Sequence, residues 1–150
     1  MELILWRHAE AEDTAPDMAR VLTAKGHKQA EKMAAWLKPR LPTKTRILAS
    51  PAQRTQQTAA ALRLDFSTLK ALAPGASIQA VMQAVGWPTA DGAVLIIGHQ
   101  PTLGMVAAYA MTGKAAYWSV KKGAIWWISS RVRAGGEQTI LRAVLSPDLI

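Results

Sequence analysis

The run Ala93-Val94-Leu95-Ile96-Ile97 constrains the fold of this chain more than any other segment. Five consecutive apolar residues, three of them β-branched, offer no polar face to water, so both faces of the strand they form must be covered. Such a strand belongs in the middle of a mainly parallel sheet lying between helices. The run stops at Gly98-His99, so polar chemistry begins where the buried strand ends.

The remaining segments fit that frame. Leu3-Ile4-Leu5-Trp6 predicts a second buried strand, which runs into Arg7-His8 and then a polar, acidic loop from Glu10 to Asp17. Thr23 is placed to cap a helix whose apolar residues Ala30, Met33, Ala34 and Leu37 follow the i, i+3, i+4, i+7 spacing, with Pro39 and Pro42 ending it. Lys25, Lys28 and Lys32 fall largely off that apolar stripe. Arg46-Ile47-Leu48-Ala49 predicts another strand, and Ser50-Pro51-Ala52-Gln53 reads as a helix start, with Ser50 as N-cap and Gln53 as its capping-box partner. A weak strand is expected within 66–72. Ser77 then opens a helix carrying Ile78, Val81, Met82 and Val85 on one face, stopped by Gly86 and Pro88. A further helix is expected from about Pro101 to Met111. Ala124–Ile128 and Thr139–Leu141 predict antiparallel strands joined around Gly135-Gly136. The expected architecture is a single domain over residues 1–150: a three-layer α/β/α sandwich with a mainly parallel central sheet and an antiparallel C-terminal part.

Composition narrows the function classes. A chain of 150 residues, 50% hydrophobic, can bury one ordinary core, and the absence of cysteine excludes disulfides, thiol catalysis and Cys-based zinc sites. The net charge of +8 favours anionic substrates or partners. That charge is unevenly placed: residues 1–20 hold two basic and five acidic side chains, residues 21–75 hold ten and two, and residues 76–150 hold six and three. No apolar run approaches the ~20 residues of a membrane span, so a cytoplasmic protein with no membrane partner is the expectation.

In doubly covered sheets, ligands bind beyond the carboxyl ends of the strands. Three such exits carry the polar residues of interest: Arg7 and His8 after the first strand, Ser50 and Arg54 after the second, His99 after the buried one. Two histidines and two arginines around one crevice suit phosphoryl transfer without a metal or other cofactor. One neutral imidazole attacks phosphorus, keeping its other nitrogen protonated by donating to a backbone carbonyl, while the second imidazole, protonated, donates with the arginines to phosphoryl oxygens.

At these residues the chain resembles the histidine phosphatase superfamily, also called phosphoglycerate mutase-like, whose signature after the first strand is Arg-His-Gly. Here the sequence is Arg7-His8-Ala9. Ser50-Pro51 with Arg54, Gln57 and Thr58 is similar to the family's Ser-Pro-x-x-Arg-x-x-Gln-Thr segment, and Gly98-His99 to its second-histidine motif. The short length and Arg20-x-Leu22-Thr23-x-x-Gly26 narrow the resemblance to SixA-type phosphohistidine phosphatases. It implies that His8 is the nucleophile and that Arg7, Arg54 and His99 complete the phosphate pocket. Arg20 is implied as a candidate contact to phosphate or substrate. Two departures stand out: Ala9 replaces the usual Gly, whose freer backbone a methyl would restrict, and no carboxylate occupies 72–76, where many relatives place a Glu general acid. Glu10, two residues from His8, is the first candidate for that acid and Asp17 the second; either could instead orient Arg20 by pairing with it.

The expected function is therefore metal-independent phosphohydrolysis through a phosphohistidine intermediate, acting on phosphohistidine of a protein partner such as a phosphohistidine domain. The alternatives are a small-molecule phosphoester phosphatase and a non-catalytic module that binds phosphate or another anion. An imidazole leaving group needs less acid assistance than an alkoxide, and a short chain without long insertions suits a phosphate presented on a protein surface. The three lysines read as a solvated helix face that could also steer an acidic partner. His27 reads as a solvated side chain, Trp126 and Trp127 as alternate faces of a strand, and Gly113-Lys114 lacks the glycine loop of a nucleotide-binding motif. A nucleic-acid partner is not expected.

Overall fold

A computed structural model describes all residues 1–150. Strand β1 (Glu2–Arg7) is followed by α1 (Ala24–Leu37), β2 (Arg46–Ala49), α2 (Gln53–Ala60), β3 (Ser67–Thr68) and α3 (Ile78–Val85). The chain continues through β4 (Ala93–Gly98), α4 (Thr102–Thr112), β5 (Ile125–Arg133) and β6 (Gly136–Leu145). One six-stranded sheet has the order β3-β2-β4-β1-β5-β6. The first four in that order run parallel, and β5 and β6 are antiparallel to their neighbours.

Period-two alternation along β1 and β4 divides the core into two layers. Leu3, Leu5, Val94 and Ile96 pack with Ile78, Val81 and Val85 of α3 and with Leu103, Val106 and Ala107 of α4. Ile4, Trp6, Leu95 and Ile97 face the opposite way, onto Met33, Ala34 and Leu37 of α1 and Ala59 of α2. Every residue of β4 is buried, as a strand between two helical layers must be. The expected three-layer sandwich with its mixed sheet is the observed one. None of the helices is long and apolar enough to cross a membrane.

Local signals account for most boundaries. Thr23 Oγ1 accepts the Gly26 amide and Ser77 Oγ the Ala80 amide, both as N-caps, and Gly86 ends α3 in the left-handed region at φ 75°. Three expectations change. Within 66–72 only Ser67–Thr68 is strand, because a tight 3-10 turn at Lys70–Leu72 takes over. Ser50 is not the cap of α2: the helix begins at Gln53, after Ala52, since the Ser50 hydroxyl is used elsewhere. The C-terminal hairpin is longer than its apolar segments, its strands continuing through exposed residues to Arg133 and from Gly136.

Candidate active site

β1, β4 and β2 are adjacent and parallel, so their carboxyl ends open on one edge. His8, His99 and Ser50 are the first residues beyond them. The exits are tied together by backbone: the His8 amide donates to Gly98 O at 3.1 Å and the Ser50 amide to Ile97 O at 3.1 Å. The His8 and His99 rings then lie with centroids 5.3 Å apart, and both residues are buried.

His8 Nδ1 lies 2.7 Å from Ala9 O. A carbonyl only accepts, so the ring proton sits on Nδ1 and the lone pair on Nε2. The Arg54 Nε–H, donating to His8 Nε2 at 3.3 Å, independently requires the same tautomer. Burial, with the charges of Arg54, Arg7 and Arg20, pulls the His8 pKa down to about 4, against a smaller opposing effect of the Ala9 hydrogen bond. The imidazole is therefore neutral at pH 7.

His99 departs from the expectation of a protonated donor. Desolvation first, then the proximity of His8 and Arg54, lowers its pKa to about 3, with Asp17 opposing, so both imidazoles are neutral at pH 7 in the ligand-free site. Its Nε2 is 2.7 Å from Ser50 Oγ, which also accepts the Ala52 amide at 3.2 Å. Accepting that amide leaves the hydroxyl one lone pair and its hydrogen, so it can pair with Nε2 in either tautomer of His99. His99 Nδ1 and Arg7 Nε are buried without hydrogen-bond partners. Native structures seldom leave such atoms unpaired, and their occurrence on two residues of one site is a mark of function.

Arg54, in the first turn of α2, is 4% exposed. Besides its bond to His8 it donates from Nη1 to Asp17 O at 2.8 Å and from Nη2 to Asp17 Oδ2 at 3.2 Å. Arg20 also reaches Asp17, at 3.3 Å, and donates to Glu12 O. Asp17 thus pairs with Arg20, as one reading of the loop proposed, and bridges it to Arg54. Desolvation, the largest single influence, would raise the Asp17 pKa, but the hydrogen bonds and charges of Arg54 and Arg20 together hold it below the usual carboxylate value. Glu10 lies elsewhere: its carboxylate accepts from Thr23 Oγ1 at 2.8 Å, at the start of α1. Arg7 donates from Nη1 to Val120 O at 2.8 Å.

His8, His99 and Arg54 therefore meet directly, with Arg7 adjoining them and Arg20 joined through Asp17. No group of three or more His, Asp or Glu side chains forms a metal-ligand cluster. Sequence reasoning did not foresee Ser50 as the partner of His99, nor Thr58, whose hydroxyl accepts the Ala9 amide at 3.1 Å while donating to Arg54 O. Thr58 was visible as part of the Gln-Thr motif, but its partner depended on how α2 meets the residue after His8.

A family model for the histidine phosphatase superfamily (branch 1) matches residues 3–73. Phosphohistidine phosphatase SixA of Escherichia coli K12 is 32% identical over 123 residues, covering 76% of each chain. An uncharacterised protein of Picosynechococcus is 35% identical over 126 residues, covering 75% of this chain and 76% of the other. Among solved structures, that of the protein histidine phosphatase SixA complexed with tungstate superposes with a TM-score of 0.82 at 26% identity, covering 99% of both chains. With the strand exits, the histidine pair and its arginines already in place, these similarities show that the chain belongs to the histidine phosphatase superfamily and is a phosphatase.

Proposed function

We propose that this phosphatase removes phosphoryl groups from phosphohistidine on a protein, through a transient phosphate on His8. The observation that carries the reading is the fixed tautomer of His8, with Nδ1 held by Ala9 O and the lone pair on Nε2 beside Arg54. A nucleophile must present that lone pair at neutral pH, and a pKa of about 4 keeps it unprotonated.

In the first step His8 Nε2 forms a bond to phosphorus as the substrate's P–N bond breaks. The departing imidazole nitrogen takes up a proton from water at the open strand edge. Arg54 exchanges its contact with Nε2 for a phosphoryl oxygen, and Arg7 and His99 supply further donors for the charge that builds there. A phosphoryl dianion beside His99 favours the protonated ring that the ligand-free site disfavours. In the second step water attacks phospho-His8, gives up a proton, and releases inorganic phosphate with the lone pair restored to Nε2.

The arrangement of carboxylates supports a phosphoramidate substrate. Asp17 is held ionised by two arginines and Glu10 is bonded to Thr23, so neither is poised to protonate an alkoxide. Imidazole leaves readily once protonated and needs less help. The tungstate in the SixA structure is a tetrahedral oxyanion, which fits a phosphate pocket in the family.

Incubation with a protein carrying isotopically labelled phosphohistidine should place acid-labile label on His8. His8→Ala should show no label and a turnover loss on the order of 10³ or more. A labelled or active His8→Ala protein would overturn the assignment. Turnover of a phosphometabolite panel well above that of phosphohistidine would replace the substrate class with small phosphoesters.

A further inference from the structure

Adjoining the site at Arg7 is an open cleft of about 600 Å³, lined also by Lys25, Lys28, Lys32, Lys121 and Lys122, with only Glu10 and Asp148 in opposition. Three separate parts of the chain supply these cations: the first turns of α1, β1, and the turn preceding β5. Their convergence requires the sheet order, with β1 between β4 and β5.

Resting on the phosphohistidine reading above, we propose that this cleft docks the acidic surface of the phosphoprotein substrate, its carboxylates lying beside the phosphohistidine that enters the His8 pocket. Four observations support this occupant. The five lysines are exposed, and the only salt bridge any of them makes is that of Lys121 with Asp148; Lys32 donates to Pro147 O. Lys25, Lys28 and Lys122 have no carboxylate partner, so their charge remains available to a visitor.

Secondly, Lys25 and Lys28 stand at the start of α1, whose first turn holds no acidic residue. Cations there oppose the helix dipole and cost local stability, while adding to the positive potential over the cleft. Thirdly, the lysine turn is fixed to the nucleophile. The Gly123 amide donates to His8 O at 3.0 Å, Trp6 Nε1 donates to Gly123 O at 3.0 Å, and Arg7 bonds to both Ala124 O and Val120 O. The backbone from which Lys122 projects is therefore fixed relative to His8, while its ammonium stays mobile.

Finally, the lining itself discriminates among anions. None of its ten residues is aromatic, so it offers no platform for stacking nucleobases. Apart from Arg7, its cations are long, hydrated and mobile, suited to dispersed carboxylates rather than to close encirclement of one small polyanion. Contacts of this kind confer orientation and association rate on a charged protein surface.

The test uses the full chain and two peptides bearing a non-hydrolysable phosphohistidine mimic, one flanked by Asp and Glu and one by Lys. The acidic peptide should bind at least tenfold more tightly at low salt, and added salt should reduce that preference. The variant Lys25→Glu/Lys28→Glu/Lys122→Glu should abolish or invert the preference while leaving turnover of free phosphohistidine unchanged. These positions are exposed, and Glu at 25 suits the helix N-terminus, so folding is not at stake. Equal affinity for both peptides, or a preference that survives in the variant, overturns the docking surface. So does a single-stranded oligonucleotide or tripolyphosphate that binds more tightly than the acidic peptide and is lost in the same variant. Absent turnover of a phosphohistidine-bearing protein by the native protein instead overturns the substrate class, independently of the peptide binding.

Discussion

The Ala9 methyl group is completely buried and packs with Leu22 and Ala30. The backbone there does not adopt positive φ, so the residue that replaces the family's usual glycine is unstrained. Ala9→Gly should destabilise the fold by about 1 kcal/mol, through lost contact and a freer unfolded chain. Chemical denaturation should register it while kcat changes little. Ser50 has the opposite balance, because its hydroxyl is the hydrogen-bond partner of His99 Nε2. Ser50→Ala leaves both ring nitrogens of His99 without a partner, so kcat should fall about tenfold, as for one lost hydrogen bond, and nitrogen NMR of the ring should register the change in its tautomer populations. Asp17 holds Arg54 from an exposed position. Asp17→Ala should cost less than about 1 kcal/mol of stability, yet raise KM severalfold as both arginines lose their anchor.

Among the elements, α1 and α4 each meet a neighbouring segment at a glycine. A β-carbon at Gly26 would fall 2.0 Å from Glu10 O, and one at Gly104 would fall 1.7 Å from Trp118 O. Neither acceptor is a flexible side chain, so Gly26→Ala and Gly104→Ala should each cost about 3 kcal/mol through forced backbone displacement. A fall in thermal midpoint would register both, and Gly26→Ala should also raise KM by moving the loop that leads to Asp17. The elements differ in how openly the sequence declares them. β4 and β1 are readable because a doubly covered strand has no polar positions, and α1 because Thr23 and its apolar stripe agree. The start of α2 misleads: Ser50-Pro51 has the form of a cap, but tertiary contact with His99 outweighs the local signal. The outer half of the hairpin is invisible to an apolar criterion, since Arg131 to Arg133 are exposed strand.

For the molecule as a whole, burying two neutral histidines makes stability depend on pH. In the unfolded chain they bind protons near 6.5, whereas folded His8 and His99 do so only near about 4 and about 3. Between those values the unfolded state holds more protons, so stability on this account is full above pH 6.5 and declines as pH falls toward 4. Urea midpoints measured from pH 7.5 to 4.5 should show the decline, and His8→Asn/His99→Asn should flatten it. The histidines and arginines of the site were legible because each follows a recognisable strand or helix signal. The lysine cleft was legible only in its helical half, Lys25, Lys28 and Lys32, because Lys121 and Lys122 join them only once β5 returns beside β1. The Lys121-Lys122-Gly123 turn divides two duties among its residues: main-chain groups of Gly123 brace His8 and Trp6, while the side chains of Lys121 and Lys122 are exposed. Under the proposed docking, substitutions at 121 and 122 should therefore preserve that bracing while altering the charge displayed beside the site. On that proposal, partner preference and turnover are separable by single substitutions.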